Sequence, residues 1–241
     1  MNGFADIHTH ILPGVDDGAA DMYTACELVR MAWLNGTRTI FLTPHYRGEF
    51  KENSIAWLRE SFSVFRQFVA EEFPDMQLYL GHELNYETDV SDKLLAGKIL
   101  SMNDSHYVLL EFGINALRSQ IIMGVTEIAR CGYTPIIAHA ERYDIFRKDH
   151  ELADDVLKLG AYLQLNADSI MGVYGFSVKR YCHRLLKGRK VHFVATDAHD
   201  SQRRPPLMRK CFLRVCKKYG RDYAEQIFCE NAQMLIEERT E

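Results

Sequence analysis

Two histidines separated by one residue, His8 and His10, open the chain in "DIHTHILPGVDDG", and an Asp-Asp-Gly turn follows at Asp16, Asp17 and Gly18. His45 stands in "TPHY", Glu83 in "GHEL", Glu111 in "LLEF", His139 in "IIAHAERY", and Asp197 with His199 in "TDAH". Imidazole and carboxylate donors without thiolates suit divalent ions such as Mn, Zn or Fe, and one carboxylate can bridge two ions. The donors are too many for a single tetrahedral site, so they point to a multinuclear centre. Such a centre turns water into hydroxide near neutral pH and clamps the oxygens of an in-line displacement at phosphorus. Two arginines extend the pattern, Arg142 after His139 and Arg204 after His199. A guanidinium holds a phosphate by two parallel hydrogen bonds and keeps its charge there. Metal ions, hydroxide and paired arginines favour phosphoester over amide hydrolysis.

Donors so far apart in sequence meet only if the fold gathers them. Short runs rich in β-branched and aromatic residues predict strands at "FADIH" from Phe4, "RTIFLT" from Arg38, "QLYLGHE" from Gln77 and "YVLLEF" from Tyr107. Three more follow at "TPIIAH" from Thr134, "AYLQLN" from Ala161 and "VHFVAT" from Val191. Amphipathic stretches between them predict helices over Ala20–Asn35, Ile55–Glu72, Leu117–Cys131 and Glu151–Leu159. Gly36, Gly132 and Gly160 each follow a helix where a left-handed cap is wanted. The aromatics of "SFSVFRQF" lie at helical spacing and are expected in the core. Seven β-α alternations without a linker favour one α/β domain over residues 1–241, a closed or nearly closed parallel barrel. In such a barrel the C-terminal strand ends converge on one face, and almost every candidate ligand sits at or just past one.

Composition narrows the function. The chain has 241 residues, 29 Lys and Arg against 33 Asp and Glu, and a net charge of −4, which gives no overall basic field for nucleic acid. "KGRK" from Lys187 and "RRPPLMRK" from Arg203 lack interleaved aromatics and read as solvated helix ends. The start resembles no signal peptide and no apolar run is long enough to span a bilayer. Six scattered cysteines without a C-x-x-C pair read as reduced thiols, so a cytoplasmic location is expected. None has arginine six positions later, which excludes the cysteine-based tyrosine-phosphatase loop.

From Asp6 to Pro206, the string "DIHTHILPGVDDG…TPHY…GHEL…LLEF…PIIAHAERY…QLN…FVATDAH…RPP" resembles the polymerase and histidinol phosphatase (PHP) metallophosphoesterases. It is similar to one branch, the bacterial manganese-dependent protein-tyrosine phosphatases of capsular and exopolysaccharide synthesis. The resemblance implies a distorted seven-stranded (β/α) TIM-like barrel with three metal ions, Mn first, Fe or Zn as alternatives. His8, His10, Glu83 and Asp197 would hold the first ion. Bridging Glu83, with Glu111 and His139, would hold the second. Asp17, His45 and His199 would hold the third, Asp17 being preferred to Asp16 because the family ligand directly precedes the glycine. Arg142 and Arg204 match the phosphate-binding arginines, with Arg203 competing for the second role. The implied substrate is a phosphotyrosine protein, the tyrosine-rich tail of a bacterial kinase that controls polysaccharide export. Ala140 stands where the branch usually has proline, and His82 beside Glu83 where a smaller or neutral residue is expected.

Other readings compete. A small-molecule phosphatase acting on histidinol phosphate would share the metal set, but not "ILPGVDDG", "AHAERY" and "RPP". An H-x-H barrel nuclease or amidohydrolase would lack the D-x-H after the last strand and the Asp-Gly pair. A non-catalytic metal-binding module would have lost ligands or arginines, and none is missing. Asn166 could orient a ligand or cap a turn.

Overall fold

The computed structural model describes residues 3–47, 50 and 53–237. Its strands are β1 (Phe4–Thr9), β2 (Thr37–Leu42), β3 (His45–Tyr46), β4 (Gln77–Leu80), β5 (Glu83–Asn85), β6 (Tyr107–Glu111), β7 (Thr134–Ile137), β8 (Tyr162–Asn166) and β9 (Phe193–Ala195). All pair in parallel, in the orders β1-β2-β4 and β3-β5-β6-β7-β8-β9. The two sheets are one course of seven strands, because β2/β3 and β4/β5 are each a single strand interrupted near its end. "QLYLGHE", expected to run unbroken, is cut at Gly81 and His82, and "TPHY" forms a short strand of its own beyond Thr43-Pro44. Proline removes a ladder donor at one break. At the other, a Cβ on Gly81 would lie 3.0–3.2 Å from Met102 Sδ and Ser101 O, so a side chain there would crowd the 3₁₀ turn at Met102–Asp104.

The ring does not close by a full ladder. Between β9 and β1 the link is one bridge, Thr9 to Ala198, with His10 N–H donating to Ala198 O at 2.8 Å and Asp197 N–H to His8 O at 2.9 Å. Below the Gly81 break β4 has no partner on its far side, and the 3₁₀ turn packs there instead. The result is a distorted, incompletely closed barrel, the distortion being what the family resemblance implied.

Helices cover the outside: α1 (Met22–Asn35), α2 (Ile55–Glu72), α3 (Val90–Leu95), α4 (Arg118–Arg130), α5 (Asp144–Lys148), α6 (Leu152–Lys158), α7 (Ala167–Met171) and α8 (Phe176–Lys187), then α9 (Arg209–Tyr219), α10 (Arg221–Glu225) and α11 (Gln233–Glu237). The four helices expected from sequence appear within two residues at each end. Asp21 and Ser54 accept hydrogen bonds from Thr24 N and Trp57 N, which fixes where α1 and α2 begin. Gly36, Gly132 and Gly160 all take positive φ, as their cap positions require. One core expectation fails in part: of "SFSVFRQF", Phe65 is buried, Phe62 is partly covered and Phe68 faces solvent, because Phe68 is off the α2 stripe that meets the sheet.

Apolar side chains from small to aromatic, such as Ala5, Ile7, Phe41, Leu109, Ile136 and Ala195, fill the barrel interior, and Leu235 closes it from the N-terminal end. Two further clusters lie between sheet and helices. The interior is therefore solid below, and the polar residues are confined to the C-terminal mouth. All six cysteines are free thiols, and among the described residues no helix is long and apolar enough to cross a membrane.

Candidate metal centre

Each loop at the C-terminal mouth delivers a donor by a local device. The pairing of β1 slips between Asp6 and Thr9, and His10 lies one residue past the strand, yet His8 Nε2 and His10 Nε2 come within 3.2 Å. The "DDG" turn folds back on His10: Ala19 N–H donates to His10 O at 2.9 Å. A Cβ on Gly18 would fall 1.8 Å from that same oxygen, so no larger residue can occupy the turn without opening it. Asp17 is thereby set with Oδ1 3.3 Å from His45 Nε2 and 3.4 Å from His199 Nε2. His139 and Asp197 both take left-handed backbone, φ 31° and 56°, rare for non-glycine residues and typical of positions held by function.

All nine expected ligands meet. Their donor atoms form four overlapping groups, each within 4.8 Å: His10, Asp17, His45 and His199; then His8, His10 and Asp197. The other two are His8, Glu83 and His139, and His45, Glu83 and Glu111. Glu83 belongs to two groups and is fully buried, in keeping with a bridging carboxylate.

The donor set fits divalent cations on the evidence of its own hydrogen bonds. Gln164 Oε1 accepts from His139 N–H at 2.7 Å, which fixes the amide's orientation, and the same oxygen lies 3.1 Å from His8 Nδ1. Asp16 Oδ2 engages His10 Nδ1 at 2.7 Å, and the Asp197 carbonyl engages His199 Nδ1 at 2.9 Å. With Nδ1–H committed on all three rings, each Nε2 offers its lone pair to the interior. Two such lone pairs 3.2 Å apart, on His8 and His10, repel unless a proton or cation lies between them. His45 Nδ1 is 2.8 Å from Glu83 Oε2, but neither ring nitrogen of His45 has hydrogen-bond geometry, and Glu83 Oε2 and His199 Nε2 are likewise buried without a partner. Atoms this close that do not bond each other are aimed at common points among them. Clustered His, Asp and Glu groups of this kind fit a polynuclear divalent-metal site.

The electrostatics agree. Burial lowers the pKa of His8, but Glu83 and then Asp197 outweigh it and lift it to about 9. His45 is lifted to about 10 against its burial by Asp17 and Glu83. Burial raises the Glu83 and Asp197 carboxyls, yet the surrounding histidines hold both below the usual carboxylate range. His199 goes the other way: burial, then the neighbouring His10, push it down to about 4. These carboxylates carry negative charge that protons or metal ions must balance.

Arg142 Nη1 lies 3.1 Å from Asp197 Oδ2, and Arg204 Nη1 lies 3.5 Å from Asp197 Oδ1, so both guanidinium groups reach the mouth on one carboxylate. Each remains about a third exposed, with donors left for a ligand (32% and 30%). Arg203 is exposed, and its N–H is spent on Asp200 Oδ1 in the turn that aims Arg204 inward. The geometry therefore favours Arg204 over Arg203.

Sequence reasoning missed Gln164, Arg47 and Tyr174, left Asn166 between two roles and passed over Asp16. Gln164 links His8 and His139 and donates through Nε2 to Asn166 Oδ1 at 2.8 Å. Asn166 in turn donates to Asp197 Oδ2 at 3.0 Å, so it orients a ligand and is not only a cap. Asp16, the carboxylate passed over for Asp17, aligns His10 and accepts the His45 N–H at 3.0 Å. Arg47, two residues after His45, reaches Asp17 Oδ2 and Glu111 Oε2, each at 3.4 Å, making a third arginine on the rim. Tyr174 lies under Arg142, ring centroid 5.8 Å from its Cζ. The "Q-x-N" at Gln164–Asn166 and the "H-Y-R" at His45–Arg47 were the available signals, and neither marks a ligand by type. His82 is buried beside Glu83 and accepts from Leu100 N–H at 3.0 Å, while burial pushes its pKa to about 3, so it is a neutral structural ring.

A family model described as capsular polysaccharide synthesis, CpsB/CapC, matches residues 4–237. The chain is 32% identical over 236 residues to tyrosine-protein phosphatase CpsB of Streptococcus pneumoniae, covering 96% of this chain and 97% of that protein. It is 31% identical over 235 residues to tyrosine-protein phosphatase YwqE of Bacillus subtilis (strain 168), covering 98% and 92%. A crystal structure from work on YwqE of Bacillus subtilis and CpsB of Streptococcus pneumoniae, described as unique metal-dependent tyrosine phosphatases, matches with a TM-score of 0.90. Its sequence identity is 32%, over 98% of this chain and 95% of that one.

Proposed function

The chain belongs to the CpsB/CapC family of capsular polysaccharide synthesis, and from that premise we propose that it is a metal-dependent protein-tyrosine phosphatase. The observation that carries this reading is the juxtaposition of four overlapping ligand groups with two arginines anchored on the ligand Asp197. Three ions, Mn first, would be held by His8, His10, Glu83 and Asp197; by Glu83, Glu111 and His139; and by Asp17, His45 and His199. Such ions supply a nucleophilic water near neutral pH and Lewis-acid stabilisation of the phosphoryl oxygens.

The chain's own residues do the rest. Arg142 and Arg204 bind two non-bridging oxygens of the phosphate and turn phosphorus toward the ligand cluster. Burial pulls the Arg142 pKa down but Asp197 more than restores it, so its charge persists at every working pH. Asp197 thus serves twice, as ligand and as anchor for both arginines. Tyr174, exposed at the rim beside Arg142, offers an aromatic face to the ring of the substrate. A phenolate leaves at a pKa of roughly 10, so the site works without a dedicated general acid. The substrate is a phosphotyrosine protein of a capsule or exopolysaccharide system, a bacterial tyrosine kinase first among candidates. One folded domain spans the chain in this reading, and a cytoplasmic location goes with it.

The test is steady-state kinetics on chelator-stripped protein refilled with Mn²⁺, comparing a phosphotyrosine peptide with a phosphoserine peptide and with histidinol phosphate. A phosphotyrosine preference abolished by His139→Ala is the expected result. Preference for histidinol phosphate would keep the metal centre and discard the protein substrate.

A further inference from the structure

Positive charge is concentrated on one side of this acidic chain. From Phe176 to Lys218 the sequence holds thirteen Lys and Arg and only two Asp, while the whole chain nets −4. Part of that excess lines an open cleft of about 720 Å³ between α8 and α9. Lys179, Arg180 and His183 face it from α8, and Arg214, Lys217 and Lys218 face it from α9; among the described residues no carboxylate does. Two acidic residues near these helices are engaged elsewhere, Asp154 with Lys190 at 2.5 Å and Glu225 with Arg221 at 2.8 Å. Like charges this close cost stability unless a ligand compensates them. Burial first, and then Lys218, Lys179 and Arg214, push the His183 pKa down to about 4.

A short stretch of chain links the cleft to the catalytic mouth. Tyr174 sits under Arg142 at the mouth, and Phe176, two residues on, stands at the cleft with 78% of its surface exposed. Val173, next to Tyr174 in the chain, leaves further apolar surface beside it. Exposed aromatic and aliphatic side chains that lead from a catalytic mouth into a basic cleft suit an extended chain, not a small metabolite.

We infer that the α8–α9 cleft docks an acidic segment of the protein substrate, adjacent in sequence to the phosphorylated residue, with Phe176 and Tyr174 guiding the chain between cleft and metal centre. This rests on the protein-phosphatase reading above. It makes selection of the substrate depend on charges well outside the phosphate pocket, which is where a phosphatase with a small, conserved-chemistry mouth can discriminate.

The experiment compares phosphotyrosine peptides carrying three glutamates on either side of the target with neutral-flanked peptides, using p-nitrophenyl phosphate as a small control. Protein and the surface variant K179E/R214E/K217E are both assayed. At least one acidic extension should lower KM about tenfold with kcat unchanged, the sum of three exposed ion pairs of modest strength. The triple variant should lose that advantage and keep its rate on p-nitrophenyl phosphate, and added salt should erode the advantage in the unmodified protein. Equal KM for acidic and neutral peptides, or a preference that survives the charge reversal, overturns the inference. So does a triple variant that keeps the peptide preference but loses binding to phosphatidylglycerol vesicles, which would assign the patch to a lipid surface. Fluorescence anisotropy of an unphosphorylated acidic peptide separates the two readings. Binding without turnover of any phosphotyrosine peptide would sink the phosphatase and leave the dock, whereas turnover without binding would sink the dock alone.

Discussion

Replacing Gln164 with leucine tests how the metal centre is held together. The side chain touches no substrate, yet its oxygen receives the His139 N–H at 2.7 Å and faces His8 Nδ1 at 3.1 Å. Leucine of nearly the same size fills the space and strands both donors in a fully buried site. Each orphaned donor costs about 1–3 kcal/mol, so the loss is roughly 2–6 kcal/mol before any gain from the added apolar surface. For a chain of this length that lowers Tm by about 5–15 °C. His8 is freed to rotate and His139 loses the bond that stabilises its left-handed backbone, so apparent Mn²⁺ affinity should fall about 10–100-fold. Gln164→Glu keeps the acceptor and loses the donor to Asn166, and should fall between the two. The assay is activity against free Mn²⁺ in a metal buffer, with thermal melts of the metal-free protein alongside. At saturating Mn²⁺ the leucine variant should recover a rate within a few-fold of the parent. A melt that drops while Mn²⁺ affinity stays unchanged would refute the reasoning, since Gln164 would then be packing alone.

Gly18→Ala should force the "DDG" turn off His10 and remove Asp17 from its group; elemental analysis of the purified variant should show fewer metal equivalents, with His10 and Glu83 ligands untouched in sequence. Arg142→Ala and Arg204→Ala should each lower kcat/KM for a phosphotyrosine peptide by about 10²–10³-fold, the usual cost of one donor to a transition-state oxygen, while Arg203→Ala should stay near the parent value. His192 is held at about pKa 4 by burial, stacked 4.4 Å from Tyr162, with its Nδ1 accepting from Leu163 N–H. Because this pKa is depressed below the unfolded 6.5, the unfolded chain binds the extra proton first, and stability should fall as pH drops from about 6.5 toward 4. Urea melts at several pH values should show a flatter dependence in His192→Asn; an unchanged slope would exclude the residue as a cause.

Much of this was legible in the sequence because ligand chemistry is carried by residue type. His8, His10, His45, Glu83, Glu111, His139, Asp197 and His199 declare themselves as donors at strand ends, and a barrel brings strand ends together. What stayed hidden depends on tertiary neighbours. Nothing about an amide in the middle of "LQL" says that it faces two histidines, and Asp16 and Asp17 differ only in which way the turn points them. The strand breaks at Pro44 and Gly81 were invisible to periodicity because the residues on both sides remain apolar or ligating. Arg47 follows "TPHY" with nothing in its spacing to set it apart from a surface cation. The basic cleft draws on neither "KGRK" nor "RRPPLMRK"; it arises only when Lys179, Arg180 and His183 of α8 are laid beside Arg214, Lys217 and Lys218 of α9.

The closure of the barrel has a consequence for how the enzyme comes into being. Thr196 binds the carboxylate of Asp6 through both its N–H and its hydroxyl, and Asp197 and His199 join ligands from the first ten residues. A ribosome must therefore deliver the chain past His199 before any of the groups containing Asp197 or His199 exists. Without the last strand the chain has neither Arg204 nor the carboxylate on which both arginines rest. A chain cut before Thr196 therefore cannot assemble the arginine pair or the ligand groups that contain Asp197 and His199.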